Sequence, residues 1–533
     1  MEQWQKDAVV YQIYPMSFQD ANGDGIGDLA GILRRVPYLA SLGINTVWLS
    51  PCFPSPRDDN GYDISDYRGI APEYGTLAQF KELLEALHAK GIRLLLDLVV
   101  NHTSDEHIWF QKSRESRESP YRDYYIWRDA VNGHEPNGWK SNFGGSAWEW
   151  DEKTGQYYLH LYSKKQPDLN WDNPAVRREI AEMINYWLDM GVDGFRCDVI
   201  NSISKDFSAP QGGGNGPHLH EYLHELYERA FHPYHALTIG ETWGLTPAQA
   251  LELTGRQRGE LSAAFQFEHL LLGRRGGDKW RKEPFSMHEF VAILDKWQRG
   301  LAKDGYPVLV MENHDQPRAL SRFGDSAYPF ESASMLAVLL YGQRGIPVIY
   351  QGQELGLANP VFSDLAQFRD IETINARKEL QEEYDDAALL SMLSFGSRDN
   401  ARVPMPWDAE KGRGFTSGRA WIPVENDPAR SVAAEEKDKH SMLWFYRRLF
   451  SLRRENVALR GGDFTLLHNA GGYCLYRREA DAKTVFVLCN LTAKEIPMPP
   501  QAQAAQCLLS NYALAQGAML RPYEALIFEM SEK

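Results

Sequence analysis

Several short stretches of this chain set carboxylates beside guanidinium, imidazole or indole groups. The first is Gly194-Phe195-Arg196-Cys197-Asp198-Val199-Ile200, strand-like in its mix of aromatic and β-branched residues with an arginine and an acid. Two residues apart on a strand, Arg196 and Asp198 face the same side. Charges in a protein interior are costly unless satisfied, so the pair is either a structural ion pair or a carboxylate kept ionised for use. Ile239-Gly240-Glu241-Thr242-Trp243 places an acid against an indole, a setting that suits a general acid. Glu312-Asn313-His314-Asp315-Gln316-Pro317-Arg318 joins acid and imidazole again, and Asp97-Leu98-Val99-Val100-Asn101-His102 closes an apolar run with histidine. Singly, each reads as well as a helix cap, a surface acid or a satisfied core group.

A further stretch has metal-ligand spacing. In Asp20-Ala21-Asn22-Gly23-Asp24-Gly25-Ile26-Gly27-Asp28, the side chains of Asp20, Asn22, Asp24 and Asp28 can converge with the Ile26 carbonyl, as in the first part of an EF-hand loop. Gly25 permits the sharp turn, but Gly31 stands where the twelfth-position glutamate would be. Oxygen ligands favour Ca²⁺ over Zn²⁺. A metal-free Asx-turn loop is the alternative, and it would leave three acids to repel one another. The expectation is a structural Ca²⁺ stapling the loop after the first strand, with no organic cofactor.

Eight strand-like runs position these groups: Ala8–Tyr14, Ile44–Ser50, Ile92–Val100, Gly194–Ile200, Leu237–Gly240, Ala263–Phe267, Val308–Met311 and Ile346–Tyr350. Helical patterns intervene, among them Thr76–Lys90, Asn173–Met190 with Pro174 in its first turn, and Ala327–Tyr341. Eight β/α units in succession predict an α/β fold, a (β/α)8 TIM barrel, with a doubly wound open sheet as the alternative. No Gly-x-Gly-x-x-Gly follows the first strand, which weighs against a dinucleotide fold. The spacing breaks after the third strand, where 102–171 reads as an inserted subdomain rich in Trp, Tyr, Asn and Gly. The barrel would then comprise 1–101 and 172–458, with an irregular insertion over 355–423. A final helix near Lys439–Arg453 leads to short strands at Phe464–Leu467, Tyr473–Arg478, Thr484–Leu491, Cys507–Ser510 and Glu524–Met530, a C-terminal antiparallel β-sandwich domain over 459–533.

Composition narrows the function. The chain has 533 residues and a net charge of −15, which argues against nucleic acid and anionic membranes as partners. Its five cysteines (52, 197, 474, 489 and 507) are odd in number and scattered, and favour a reducing compartment. Met1–Asp7 lacks signal-peptide character, and no apolar run approaches the roughly 20 residues that span a bilayer. A cytoplasmic protein, acting as a monomer, is the expectation. Aromatics make 12% of the chain, consistent with rings that stack on sugar faces.

Placed on this scaffold, Asp198, Glu241 and Asp315 fall at the ends of strands four, five and seven, on the rim where barrel active sites lie. Three acids, two histidines and many aromatics without a cofactor signature point to glycosidic bond cleavage. One carboxylate attacks the anomeric carbon, a protonated acid serves the leaving oxygen, and Arg196 keeps the nucleophile ionised. Asp97–His102, Gly194–Ile200, Gly240–Trp243 and Glu312–Asp315 also resemble, in order and context, the four motif regions of the α-amylase superfamily of glycoside hydrolases. Within it the chain is similar to the oligo-1,6-glucosidase and dextran glucosidase group over essentially its whole length. The resemblance implies Asp198 as nucleophile, Glu241 as general acid/base and Asp315 as the third acid, gripping ring hydroxyls. It implies retention of anomeric configuration, hence carboxyls of Asp198 and Glu241 about 5–5.5 Å apart. It also implies substrate contacts from Asp59, Tyr62, His102, Phe143, Gln166, Arg196, Val199, Trp243, His314 and Arg398. Asp59 and Arg398 would hold the non-reducing 4-hydroxyl and make the pocket blind-ended.

The expected substrate is a small oligosaccharide with a terminal α-1,6 bond: isomaltose, isomaltooligosaccharides or short dextrans. Val199 after the nucleophile and Gln166-Pro167-Asp168-Leu169-Asn170 resemble the 1,6-preferring members. Pro406, where Gln is usual in a Met-x-Trp motif, and Cys52 and Cys197 beside the site depart from the pattern. An α-1,4-glucosidase, a trehalose-6-phosphate hydrolase and a sucrose isomerase share the scaffold. The phosphate-reading cations of the second are not locatable from sequence, and Arg318–Phe323 looks hydrolase-like rather than isomerase-like. A non-catalytic relative, like a transporter's heavy chain, would be expected to lose the acids and carry a membrane anchor. This chain keeps all three acids.

Overall fold

Val10–Ile13 (β1) pairs in parallel with Thr46–Leu49 (β2), and β2 with Arg93–Val99 (β3). The series continues through Gly194–Asp198 (β4), Leu237–Gly240 (β5) and Ala263–Ala264 (β6). Val308–Leu309 (β7) pairs with Ile346–Tyr350 (β8), which returns to β1. The order β7-β8-β1-β2-β3-β4-β5-β6 is a nearly closed barrel of eight parallel strands, open only between β6 and β7. This is the expected α/β architecture, seen in a computed structural model that describes residues 1–211, 214–422, 430–503, 505–513 and 518–530. Seven of the eight strands are buried along their whole length, and only Arg93 at the start of β3 is not, as expected of sheets covered on both faces.

Local sequence explains how the rim is set. The helix Pro174–Asp189 starts where predicted, with the Asn173 side chain accepting from Ala175 N–H and Pro174 in the first turn. It delivers the chain through Gly191–Asp193 to β4. Register then aligns Asp97 with Arg196, Val99 with Asp198, and Cys197 with Gly240. Gly194 is required where β4 meets β5, because a Cβ there would lie 2.0 Å from the Leu237 carbonyl oxygen. Strand β4 stops at Asp198, two residues earlier than predicted. Val199 turns left-handed at φ +34°, and Ile200 begins a tight 3-10 turn. β6 and β7 are likewise shorter than their apolar runs suggested.

Within the insertion after β3, Trp127–Arg128, Gln156–Leu159 and Trp148–Asp151 form an antiparallel sheet over a small core of Trp139, Trp148, Leu159 and Leu161. The stretch from 355 is not irregular as predicted. Helices Ile371–Leu380 and Asp386–Gly396 pack around Phe362, Leu365, Phe368, Leu389 and Leu393. The first carries too few apolar residues to show a helical period, and its capping by Asp370 decides it instead. Position 423, the end of that predicted segment, lies outside the described residues, as do 531–533.

Beyond the helix Met442–Glu455, Asp463–Ala470 (β9), Tyr473–Ala480 (β10), Lys483–Asn490 (β11), Ala505–Ser510 (β12) and Ala525–Met530 (β13) form the antiparallel sheet β9-β10-β11-β13-β12. A two-stranded pair, Ile496–Pro497 with Met519–Leu520, accompanies it. Tyr476 docks the sheet on the barrel by donating to the carbonyls of Val338 and Leu339, both at 3.1 Å. All five cysteines are free. Among the described residues, no helix is long and apolar enough to cross a membrane.

Candidate active site

Arg196 is the centre of the rim. Its side chain is 2% exposed, and Nη1 donates to Asp97 Oδ1 at 2.7 Å and to Asp198 Oδ1 at 2.5 Å. Nη2 donates to Glu241 Oε2 at 2.6 Å. Burial opposes the guanidinium charge, yet Asp97, Glu241 and Asp198 together hold it firmly protonated. The acids feel the reverse balance: burial raises the pKa of both Asp97 and Asp198 although Arg196 opposes it, and Glu241 and Asp97 push Asp198 further up. Three carboxyls share one cation, so Asp97 and Asp198 favour keeping a proton. Asp97 is spoken for on its other oxygen, which accepts from Trp48 Nε1 at 3.1 Å and Tyr62 Oη at 2.8 Å. Asp198 and Glu241 are the two of the three that line a cavity of about 570 Å³. Held on the two prongs of one guanidinium, they form a close-set pair.

Glu241 is oriented twice more. Trp243 Nε1 donates to its Oε1 at 3.1 Å, so the indole acts on the acid through a hydrogen bond. Val199 N–H donates to Oε2 at 3.1 Å. Val199 is the only β-branched residue with positive φ among the described residues. Such a conformation costs on the order of 1–3 kcal/mol and persists only when its surroundings enforce it. Here the turn aims an amide at one carboxyl directly after presenting the other.

Opposite stands a second network. Asp315 Oδ1 accepts from Arg402 at 2.8 Å and Arg398 at 3.4 Å, and its Oδ2 lies 3.0 Å from His314 Nε2, outside hydrogen-bond alignment. Burial opposes ionisation of Asp315, but His314, Arg398 and Arg402 outweigh it and hold the carboxyl well below the usual range. Arg398 also pairs with Asp59 at 2.7 Å and Asp370 at 2.5 Å, with its guanidinium 4.8 Å over the Phe143 ring. Asp59, Arg398 and Phe143 therefore wall one end of the cavity together. Tyr62 stacks on His314 with ring centroids 5.0 Å apart. His102, pushed down to about 4 by burial, stays neutral and lies 3.1 Å from the Tyr62 carbonyl oxygen and from Gln166 Nε2.

Of the sequence-derived contacts, Asp59, Tyr62, His102, Phe143, Val199, Trp243 and Arg398 line the cavity with Asp198, Glu241 and Asp315. Gln166, Arg196 and His314 lie behind it, fully or almost fully buried, and act through the residues they orient. Sequence reasoning missed Arg402, although it follows Arg398 by one helical turn on Asp399–Arg402 and could have been found by that spacing. It also missed Asp370, Arg274 and Gln316. In the loop after β1, Asp20 accepts from the amides of Asn22, Gly23 and Gly25 and from Thr416 Oγ1. Asp28 accepts from Ala21 N–H and caps Gly31 N–H. Among the described residues, no group of three or more His, Cys, Asp or Glu side chains gathers as a metal cluster.

Comparison with known proteins places this geometry. The sequence profile of the alpha-amylase catalytic domain matches residues 12–462. The chain is 47% identical over 555 aligned positions to an oligo-1,6-glucosidase of Parageobacillus thermoglucosidasius, covering 99% of each. It is 43% identical to a glucan 1,6-alpha-glucosidase of Streptococcus pneumoniae serotype 4, again covering 99% of each. A variant of Bacillus licheniformis trehalose-6-phosphate hydrolase superposes with a TM-score of 0.95 at 40% identity, over 100% of both chains.

The shared cation makes a testable demand. Arg196→Met strands three buried carboxyls and should destabilise the fold by about 3–5 kcal/mol near neutral pH. A carboxyl whose folded pKa exceeds its unfolded value destabilises the native state above that pKa and ceases to do so once protonated. The deficit should therefore shrink on moving from about pH 8 to about pH 5 in denaturant titrations. A deficit independent of pH would contradict this reading of the cluster.

Proposed function

Because the chain belongs to the alpha-amylase family of glycoside hydrolases, we propose that it is a retaining, exo-acting α-glucosidase for terminal α-1,6 bonds of isomaltose, isomaltooligosaccharides or short dextrans. The carrying observation is the arrangement around Arg196: two close-set carboxyls on one guanidinium, in a cavity ended by the Asp59–Arg398 pair. A carboxylate of Asp198 bonds to the anomeric carbon as the bond to the leaving oxygen breaks, and Glu241 gives that oxygen its proton. Glu241, now ionised, takes a proton from water as the water oxygen attacks the same carbon and frees Asp198. Asp315, kept anionic by His314, Arg398 and Arg402, accepts from ring hydroxyls and offsets the positive charge developing on the ring. The Asp59–Arg398 pair offers an acceptor and a donor to the 4-hydroxyl of a terminal glucose.

The α-1,6 preference is supported by the relatives named oligo-1,6-glucosidase and glucan 1,6-alpha-glucosidase, and by Val199 at the cavity wall. A trehalose-6-phosphate hydrolase is the second reading, favoured by the likeness to that enzyme. A panel of isomaltose, maltose, sucrose, trehalose and trehalose 6-phosphate separates them. kcat/KM for isomaltose should exceed that for every other member by about tenfold or more. Faster turnover of maltose or trehalose 6-phosphate would end the linkage reading. Asp198→Asn and Glu241→Gln should each lower kcat by about a thousandfold or more while folding normally.

A structural Ca²⁺ on the loop Asp20–Asp28 belongs to the same proposal. Its donors, Asp20, Asn22, Asp24, Asp28 and the Ile26 carbonyl, are all oxygen, the chemistry a hard cation takes, although the three acids do not gather as a cluster and backbone amides already order the loop. The ion would reinforce that order and take no part in the reaction. Chelation should lower the melting temperature by a few degrees, restored by Ca²⁺, with kcat unchanged. Identical melting with and without chelator would remove the ion from the account.

A further inference from the structure

Arg274 enters the catalytic cavity from the segment following β6. The segment is held rigidly. Arg275 N–H donates to Arg281 O at 2.8 Å and Glu283 N–H to Gly273 O at 2.9 Å, closing it as a hairpin. Arg322 anchors its approach by donating from Nη2 to the carbonyls of Leu270 at 2.6 Å and Leu272 at 3.0 Å. Arg274 is thus preorganised, and it is only 7% exposed.

Its electrostatic setting sets it apart from the other cavity cations. Arg398 pairs with Asp59 and Asp370, and Lys279 with Glu372 at 2.5 Å. Arg274 has no ion pair among the described residues. Its Nη2 donates to a neutral acceptor, Gln316 Oε1, at 2.6 Å. Burial pulls its pKa down, and only Glu372, at longer range, works against that. A guanidinium desolvated without an acid retains unused donor capacity. Gln316 Oε1 also accepts from Arg322 Nη1 at 3.3 Å, so both guanidinium groups fix the amide the same way round. Gln316 Nε2 is then turned from them and has no partner among the described residues. The two side chains make a wall of donors in the cavity that Asp59, Tyr62, His102, Phe143 and Arg398 also line.

We propose that Arg274, with Gln316, is the specificity-determining element for the leaving group, binding acceptor oxygens that it carries: hydroxyls of a second sugar, or a phosphate attached to it. The inference rests on the reading of this cavity as the glucosidase site. Arg322 is the positioning residue, since it donates to Gln316 and to the carbonyls of Leu270 and Leu272 without lining the cavity.

Isomaltose and p-nitrophenyl α-glucoside test it, because they share the first glucose and differ beyond it. Arg274→Gln should lower kcat/KM for isomaltose about 10- to 100-fold, mainly through KM, and for the aryl glucoside less than about threefold. Arg274→Lys should recover part of the loss. Glucose and glucose 6-phosphate as competitive inhibitors of aryl glucoside hydrolysis distinguish the two sources. Inhibition by the phosphate at about tenfold lower concentration, abolished in Arg274→Gln, marks an anionic leaving group. A loss on isomaltose without that difference marks sugar hydroxyls. Equal losses on both substrates in a normally melting variant, or no loss and no inhibitor difference, overturn the proposal. Failure of the glucosidase reading shows separately, as a parent enzyme that turns over neither substrate.

Discussion

One buried guanidinium carries three carboxyls, and the rest of the rim is arranged around that imbalance. A cation enclosed by Asp97, Asp198 and Glu241 gains from each of them, whereas each acid gains only a share of one positive charge. Such a cluster resists full ionisation. Burial and the neighbouring acids raise the pKa of Asp97 and Asp198 against the pull of Arg196. Asp97 lends charge to the cluster but no chemistry, because Trp48 and Tyr62 occupy its other oxygen.

The barrel makes the arrangement possible through register. Parallel pairing of β3, β4 and β5 sets Asp97 and Arg196 at one level and delivers Asp198 and Glu241 just above it. The left-handed turn at Val199 ends β4 at Asp198 and points an amide at Glu241, so local strain buttresses what the register begins. Across the cavity the balance is opposite. Asp315 faces Arg398, Arg402 and His314, and is firmly held as an anion. One cavity therefore presents two carboxyls on a shared guanidinium along one wall and a fixed negative charge on the other.

The barrel order and the three rim acids were legible because each depends on a local signal: an apolar run, a turn and a polar residue where the run ends. Gln166, Arg196 and His314 were legible as residues of the site but not as its second layer, since depth behind a wall leaves no mark on a single strand. The extent of β4 was misread because Val199, a good strand former, adopts a conformation that only tertiary contacts enforce. Ile371–Leu380 escaped notice because its pattern is polar and its order comes from its cap and a local core. Arg274 had no signal at all. Its meaning lies in its pairing with a neutral amide and with no acid among the described residues, which only the packed chain reveals.

The claim on which the account turns is that Asp198 and Glu241, set close on Arg196, act as nucleophile and acid/base in a double displacement. The anomeric form of the glucose released from p-nitrophenyl α-glucoside, whose leaving group is not a sugar, reports this directly, read by proton NMR before mutarotation equilibrates the product. The α-anomer is the predicted initial product. Initial release of the β-anomer would mean a single displacement by water and would contradict the account.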